Sequence, residues 1–353
     1  MRILCLGGGG FIGSHLTRHL VGRGVDVVCV DTHADKIEDL LGLPGVRFLG
    51  RDIRDPAFEL DALVADADLV IDLIAYANPG VYIRRPLDVF RLNFTENLRI
   101  AEACAARGRR LVQFSSCEVY GKTAARSLPD KLVDPDDPAL ATFSEDGSDF
   151  ILGPVGKHRW IYACAKQLLE RVLHAYGLEG RLSYTVVRPF NFIGPMIDYL
   201  PAAAGDGFPR VFPQFMDALL RRAPMKLVDG GAHRRCYTHI DDAIACIARI
   251  VENPGGVCDG QTFNVGSPDN ETSIRGLAAL MREIYAAELG EPLSAMPEPI
   301  DVPAHEFYGE GYDDSDRRIP DIAKARTLLG WEPRVPLRET VARTMRHYLD
   351  AAS

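Results

Sequence analysis

Short apolar runs alternating with amphipathic stretches set the rhythm of the first half of the chain. Residues 2–6 read as a strand, followed by Gly7-Gly8-Gly9-Gly10-Phe11-Ile12-Gly13 and a helix over about 14–22. Further strands are expected at 25–30, 46–49, 69–74, 110–114 and 182–188, with one long helix over 87–107. This alternation predicts an α/β fold, a doubly wound parallel sheet of Rossmann type. Ligands of such sheets bind beyond the carboxyl ends of the strands, where Ser116, Cys117, Glu118 and Asn191 fall. From about Asn191 the pattern loosens into helices over 240–252, 273–289 and 337–349 with short strands between. Val228-Asp229-Gly230-Gly231 and Phe263-Asn264-Val265-Gly266 read as turns after strands. The expected division is a nucleotide-binding domain over 1–190 and a smaller substrate lobe over 191–353, some of whose segments return to the first domain.

The glycine-rich turn satisfies two overlapping spacings. Gly8, Gly10 and Gly13 fit G-x-G-x-x-G, and Gly7, Gly10 and Gly13 fit G-x-x-G-x-x-G. Between a strand and a helix, such a turn lets backbone N–H groups approach a pyrophosphate at the helix N-terminus, with Phe11 and Ile12 inside the same turn. The second strand runs into Asp31, which can accept hydrogen bonds from both ribose hydroxyls and repels a 2′-phosphate, so the expected cofactor is NAD rather than NADP. Asp52 and Ile53, after the third strand, are placed to meet the adenine. Leu73 and Ala75, at the end of the fourth, lie where the cofactor crosses the sheet.

About 150 residues after that turn, Tyr162 and Lys166 stand four apart in Arg159-Trp160-Ile161-Tyr162-Ala163-Cys164-Ala165-Lys166. On a helix they share a face. A lysine ammonium beside the phenol favours the phenolate, which can take a proton from an alcohol. Taken alone, this spacing is shared by many ordinary amphipathic helices. Joined to the glycine turn, Asp31 and Ser116, it describes hydride-transfer machinery.

Composition narrows the field. The 353 residues are ample for a large core, and a formal net charge of −9 with a pI near 5.5 argues against non-specific nucleic-acid binding. Arg234-Arg235 and Arg317-Arg318 are local basic pairs that could hold a phosphate or simply be solvated. The eight cysteines are scattered and mostly set in apolar runs, as expected of small core residues in a reducing, cytoplasmic compartment. No metal-ligand spacing, signal peptide or membrane-spanning run is expected. The Asp- and Pro-rich stretch 129–149 reads as a surface excursion.

The combination of the glycine turn, Asp31, Ser116, Tyr162 and Lys166 resembles the extended short-chain dehydrogenases/reductases that act on nucleotide sugars. Within that family the likeness is strongest to the UDP-apiose/UDP-xylose synthases of plants, at Phe114-Ser115-Ser116-Cys117-Glu118-Val119-Tyr120-Gly121-Lys122, residues 159–167, Arg188-Pro189-Phe190-Asn191, residues 226–231 and above all residues 307–321. The chain is similar, less closely, to the UDP-glucuronate decarboxylase domain of the bacterial aminoarabinose pathway. The resemblance implies that Tyr162 is the base for oxidising the sugar C4 hydroxyl, tuned by Lys166 and aided by Ser116, with NAD as hydride acceptor. The resulting ketone lies beta to the C6 carboxylate, which then leaves as carbon dioxide. Arg159 and Arg318 would hold the carboxylate or protonate the enolate, and Glu118 and Cys117 would transfer further protons. Tyr82, Asn191, Arg210, Lys226, Arg235 and Tyr312 fall at positions that hold UDP or the glucuronosyl group. A homodimer through the helices containing Leu87 and Tyr162 is also expected by resemblance.

Each assignment has a plainer alternative: Glu118 as a structural acid paired to arginine, Cys117 as a packed small residue, Arg318 as a loop cap, Lys226 as a solvated charge. Forming apiose further requires retro-aldol cleavage between C2 and C3, recombination in a contracted ring and reduction of the exposed aldehyde. The plant enzymes carry a cysteine five residues before the substrate-binding tyrosine; here that residue is Ala77, as in the bacterial decarboxylase domain. Met196 likewise replaces an arginine found in both. UDP-apiose/UDP-xylose synthesis and simple decarboxylation to UDP-xylose or a UDP-4-ketopentose therefore both remain open. A nucleotide-sugar 4-epimerase and a non-catalytic NAD-binding protein stand as different classes.

Overall fold

The computed structural model describes residues 1–123, 134, 136–201 and 210–352. Strands β1 (Arg2–Leu6), β2 (Asp26–Asp31), β3 (Val46–Gly50), β4 (Leu69–Asp72) and β5 (Arg110–Phe114) belong to the main sheet; β6 (Thr142–Phe143) does not. They are followed by β7 (Tyr184–Pro189), β8 (Phe192–Ile193), β9 (Lys226–Val228), β10 (Arg234–Cys236), β11 (Thr238–His239), β12 (Gln261–Val265), β13 (Glu271–Ser273), β14 (Ile300–Val302) and β15 (Arg317–Pro320). The helices are α1 (Phe11–Val21), α2 (Leu60–Ala65), α3 (Pro79–Arg84), α4 (Pro86–Phe90), α5 (Asn97–Arg107), α6 (Ile161–Leu178), α7 (Val211–Leu220), α8 (Ile240–Glu252), α9 (Ile274–Leu289), α10 (Ala304–Tyr308), α11 (Ala323–Leu329) and α12 (Leu337–Ala352).

Seven strands form a sheet in the order β12-β7-β5-β4-β1-β2-β3, with every neighbouring pair parallel. Both faces are covered, which is why these strands read as continuous apolar runs. Ile3, Cys5, Val27 and Cys29 enter one core cluster, while the alternating Leu4, Leu6, Val28 and Val30 enter the other. Strand order reverses between β1 and β4, opening the crevice in which ligands of such sheets bind.

Two expectations need correction. Residues 263–265 are not a turn: Phe263, Asn264 and Val265 pair with Val187, Arg188 and Pro189 as β12, the outer strand of the main sheet. Phe263 and Val265 are fully buried, and their apolar character is that of a covered strand. The long helix expected over 87–107 is three pieces, α4, a π turn over Arg91–Glu96, and α5. The wide turn accompanies two buried asparagines. Asn93 donates to the Val89 carbonyl at 2.9 Å and the Tyr76 carbonyl at 3.3 Å, and Asn97 donates to the Ile74 carbonyl at 3.2 Å.

Residues 129–133 and 135 of the acidic stretch lie outside the described residues. Its later part is tied down, with β6 pairing with β15 in a four-stranded sheet ordered β13-β10-β15-β6. Among the described residues no helix is long and apolar enough to cross a membrane.

Candidate active site

The glycine turn leaves room that a side chain would fill. A Cβ on Gly13 would stand 2.4 Å from the Gly7 carbonyl oxygen, and one on Gly9 would stand 2.0 Å from that of His33. Gly7, at φ +83°, packs against the Leu73 backbone, bringing the ends of β1 and β4 together. The N-terminus of α1 at Gly10 has no side-chain cap, so the N–H groups of Phe11, Ile12 and Gly13 are available to an anion. Asp31 ends β2, with Oδ2 accepting from the Gly9 N–H at 3.0 Å and Oδ1 from the Thr32 N–H at 2.7 Å. Asp52 is gripped by Arg54 at 2.6 Å, and Ile53 is buried beside it. Ala75 follows β4 and is half-buried. These residues fit a dinucleotide whose ribose lies at Asp31 and whose pyrophosphate lies at α1.

The Tyr162 and Lys166 side chains start one turn apart on α6 and are both buried. Tyr162 stacks on the buried Tyr82 ring at 4.6 Å and 8°. Burial, then the negative charge of Glu118, push its phenol above the ordinary value, against a hydrogen bond with Ser116 that lowers it. Lys166 is not bonded to the phenol in this structure. It donates to Asn97 Oδ1 and to the Phe114 carbonyl, each at 3.0 Å. Burial lowers its pKa to about 8, opposed by Asp72 and Glu170. Desolvation therefore outweighs, in this structure, the expected lowering of the tyrosine by a neighbouring ammonium.

The two basic pairs are split by strand alternation. β10 and β15 run parallel with Arg234 opposite Arg317 and Arg235 opposite Arg318. Arg234 and Arg317 turn to Glu271, at 3.0 and 2.6 Å. Arg235 and Arg318 turn instead into a cavity of about 210 Å³ also lined by Glu118, Arg159 and Asn191. Arg159, 1% exposed, holds Glu118 through both terminal nitrogens at 2.8 and 3.1 Å and reaches Asp314 Oδ1 at 3.1 Å. Glu118 is thus the arginine-paired acid of the plainer reading, and it also lines the cavity. Asp314 accepts from Arg235 at 2.9 Å and from the Tyr312 hydroxyl at 3.1 Å, with Arg318 at 3.9 Å. Burial alone would raise the Asp314 pKa, but the Arg235, Arg159 and Arg318 guanidiniums outweigh it and hold the carboxyl well below its usual range.

Arg318 is 2% exposed, and its Nε and Nη1 are buried without a partner. Cys117 is buried nearby, its thiol pushed up by burial against the pull of Arg318. Lys226 lines the far end of the cavity from an exposed position. Arg210 also lines it, but is engaged with Asp198 at 2.8 Å and with the Ile197 carbonyl at 3.1 Å. Ala77 stands at the cavity wall with Asn78 and Pro79. Asn191, at φ +43°, turns the chain after β7 and donates to the Cys236 carbonyl at 3.3 Å.

Sequence reasoning missed Asp314, the carboxylate on which three arginines converge, although it lies between the quoted Tyr312 and Arg318. It also missed Tyr308, which stacks on Tyr312 at 4.1 Å and 7°. Asn97 was missed as well; a four-residue Asn93–Asn97 spacing was the available signal. No group of three or more metal-ligating side chains occurs among the described residues.

This geometry is that of a dinucleotide-dependent enzyme of sugar chemistry, and the comparisons agree. The chain belongs to the NAD dependent epimerase/dehydratase family, whose profile matches residues 3–266. The UDP-D-apiose/UDP-D-xylose synthase of Oryza sativa subsp. japonica is 44% identical over 355 residues, spanning 98% of this chain and 88% of that protein. UDP-D-apiose/UDP-D-xylose synthase 1 of Arabidopsis thaliana is also 44% identical, over 98% of this chain and 90% of its own length. Among solved structures, the PbgP3 protein from Burkholderia pseudomallei matches with a TM-score of 0.82 at 34% identity, covering 98% of this chain and 96% of that one. The UDP-glucuronic acid 4-epimerase from Bacillus cereus, solved with UDP-glucuronic acid and NAD, shares the fold at a TM-score of 0.79 and 21% identity, covering 99% and 100%.

Proposed function

We propose that this protein is an NAD-dependent nucleotide-sugar decarboxylase of the lyase type that converts UDP-glucuronate through a 4-keto intermediate to UDP-apiose and UDP-xylose. One observation carries the uronate reading: among the described residues, three buried arginines, Arg159, Arg235 and Arg318, pair with only two carboxylates, Glu118 and Asp314. The surplus positive charge, with two orphaned donors on Arg318, suits a bound monocarboxylate and not a neutral hexose. The full-length likeness to the plant synthases supports the same substrate.

In this reading Gly7, Gly10, Phe11, Ile12, Gly13, Asp31, Asp52, Ile53, Leu73 and Ala75 hold NAD, which supplies a hydride acceptor. Tyr162 takes the C4 hydroxyl proton, Ser116 positions that hydroxyl and Lys166 supplies positive charge beneath it. Arg318 and Arg159 hold the C6 carboxylate until it leaves, and Glu118 and Cys117 move protons on the sugar. Tyr82, Asn191, Arg210, Lys226, Arg235 and Tyr312 hold the nucleotide and sugar. Residues 1–190 act as the nucleotide-binding domain and 191–353 as the substrate lobe, with β12 the segment that returns. The exposed Leu87 and Leu168, on α4 and α6, support a homodimer through those helices. All eight cysteines are unpaired, which fits a reducing cytoplasm.

Proton NMR of the protein with NAD and UDP-glucuronate tests this, with a branched pentose product expected beside xylose. Xylose or a 4-ketopentose alone would establish the second reading, a decarboxylase without ring contraction, which Ala77 at the cavity wall favours. Retention of all six sugar carbons would overturn both.

A further inference from the structure

Behind the proposed hydride-transfer site lies a buried carboxyl that none of the steps above uses. Asp72 ends β4, is fully buried and makes no ion pair among the described residues. Its Oδ1 accepts from the Ile74 N–H at 2.9 Å, and its Oδ2 accepts from Gln113 Nε2 at 2.8 Å. The same Gln113 nitrogen reaches the Phe114 carbonyl at 3.3 Å, and that carbonyl accepts from Lys166 Nζ at 3.0 Å. A continuous line of polar atoms thus runs from the Asp72 carboxyl through an amide and a peptide group to the Lys166 ammonium. Lys166 is itself 1% exposed and, among the described residues, has no carboxylate in hydrogen-bonding contact.

The other acid near Lys166 is already neutralised. Glu170, one turn further along α6, accepts from Arg188 through both oxygens, at 3.1 and 2.5 Å, and from the Ser115 hydroxyl. A buried ammonium and a buried carboxyl, each lacking another ionic partner, stabilise one another in proportion to how dry the site is.

We propose that Asp72 is a positioning residue of this site, holding the charge and orientation of Lys166 through the Gln113 amide and the Phe114 carbonyl. The proposal rests on the reading of Lys166 as part of a hydride-transfer site. Its mechanism uses an unexplained atom. Gln113 Oε1 is buried without a partner. When Asp72 takes a proton, its carboxyl becomes a donor, and Oε1 is the acceptor in reach once the amide turns. That turn withdraws Nε2 from the Phe114 carbonyl and alters the seat of Lys166.

The charges involved support this. Burial raises the Asp72 pKa to about 6, with Lys166 the main opposing influence, and Asp72 is the larger of the two influences that oppose the burial-lowered value of Lys166. Asp72 is also faced by the Cys5 thiol from β1 and the Cys104 thiol from α5, and both are pushed further up, towards the neutral form, by its negative charge. Lys166 is faced by Glu170 and Tyr162 from its own helix and by Asn97 from α5. None of these brings a second free charge to the pair.

The chain has seven lysines, few enough for NMR of lysine labelled with carbon-13 at Cε, with Lys166 assigned by loss of its signal in Lys166→Met. In the wild-type protein the Lys166 signal is expected to show a minor inflection near the Asp72 titration and a main one above it. In Asp72→Asn the minor inflection disappears and the main one moves down by about one pH unit. Turnover, whose basic limb follows loss of the ammonium, shifts in the same direction. An unmoved Lys166 titration in a folded Asp72→Asn protein would overturn the proposal. So would the absence of the minor inflection in wild type, which decides the matter if the variant does not fold. Failure of UDP-glucuronate turnover in wild type would sink the function reading while leaving this titration to be read.

Discussion

The two walls of the site solve opposite electrostatic problems. The sheet-side wall holds Ser116, Tyr162 and Lys166, with a buried ammonium whose hydrogen bonds go to an amide and a carbonyl. The arginine wall holds Arg159, Arg235 and Arg318 converging on Asp314, with direct ion pairs and Glu118 as a second anion. In the first wall burial, only partly opposed by Asp72 and Glu170, brings Lys166 down to a pKa of about 8. The second uses arginine, which does not titrate, and a carboxyl held ionised by its neighbours. Proton transfer requires groups that can change charge. Gripping a carboxylate requires groups that cannot.

Breaking the first wall should have the largest effect on rate. Tyr162→Phe keeps the ring that stacks on Tyr82 and removes the proposed proton acceptor, so kcat is expected to fall by about 10³-fold with little change in thermal midpoint. Rapid-mixing measurements of nicotinamide absorbance with UDP-glucuronate check it, and a loss under tenfold would remove Tyr162 from the chemistry. Breaking the second wall should act first on stability. Asp314→Asn leaves three buried guanidiniums without their shared anion and should cost about 3–5 kcal/mol by urea unfolding. The sign with pH follows from the lowered carboxyl. Its folded pKa lies below the unfolded value near 4, so its stabilisation is complete above that value and is lost as pH falls further. The stability gap between wild type and Asp314→Asn should therefore narrow in acid.

The same division governs what the sequence disclosed. The sheet-side wall is local. A glycine turn, an acid at the end of β2 and a Tyr–Lys pair one helical turn apart are short-range patterns, and the strands that place them carry period and length signals. The arginine wall is not local. Arg235 and Arg318 meet because β10 and β15 pair in a register that no short segment encodes, and alternation then sends Arg234 and Arg317 the other way. From the residues alone the two pairs are indistinguishable from solvated basic clusters. Asp314 was overlooked because its role exists only after three distant arginines have converged. Asn264 and Gly266 mimic a turn at residues 263–265, yet Asn264 donates to the Phe143 and Asp321 carbonyls at 2.9 and 3.1 Å inside a buried strand.

A smaller effect is expected from Arg318→Gln. The change keeps much of the side chain's length but removes the two unpartnered guanidinium donors, while Arg159 stays on Glu118. If those donors meet the substrate carboxylate, kcat/KM for UDP-glucuronate should drop by about 10²-fold, equivalent to about 2.7 kcal/mol. Inhibition by a UDP-hexose lacking the carboxylate should change little. Equal losses for both ligands would place Arg318 in nucleotide binding or in folding instead.

The smallest expected change tests the arginine-lined cavity for ring contraction. Ala77 stands at the wall that Glu118 and Arg159 also line, while Cys117, next to Glu118 in the chain, is buried with its thiol pushed up by burial. A thiol at position 77 adds one acid/base group to the cavity proposed to grip the substrate, so total carbon dioxide release should stay within about twofold. What changes is the partition after decarboxylation, when the 4-keto pentose either takes back the hydride or cleaves between C2 and C3. Ala77→Cys should therefore raise the apiose-to-xylose ratio several-fold, read by NMR of the products. If the wild type already makes apiose and the ratio does not move, Glu118 and Cys117 suffice for the retro-aldol step. If the wild type makes none and the variant does, one side chain at the cavity wall separates a decarboxylase from a ring-contracting synthase, with the hydride-transfer wall unchanged.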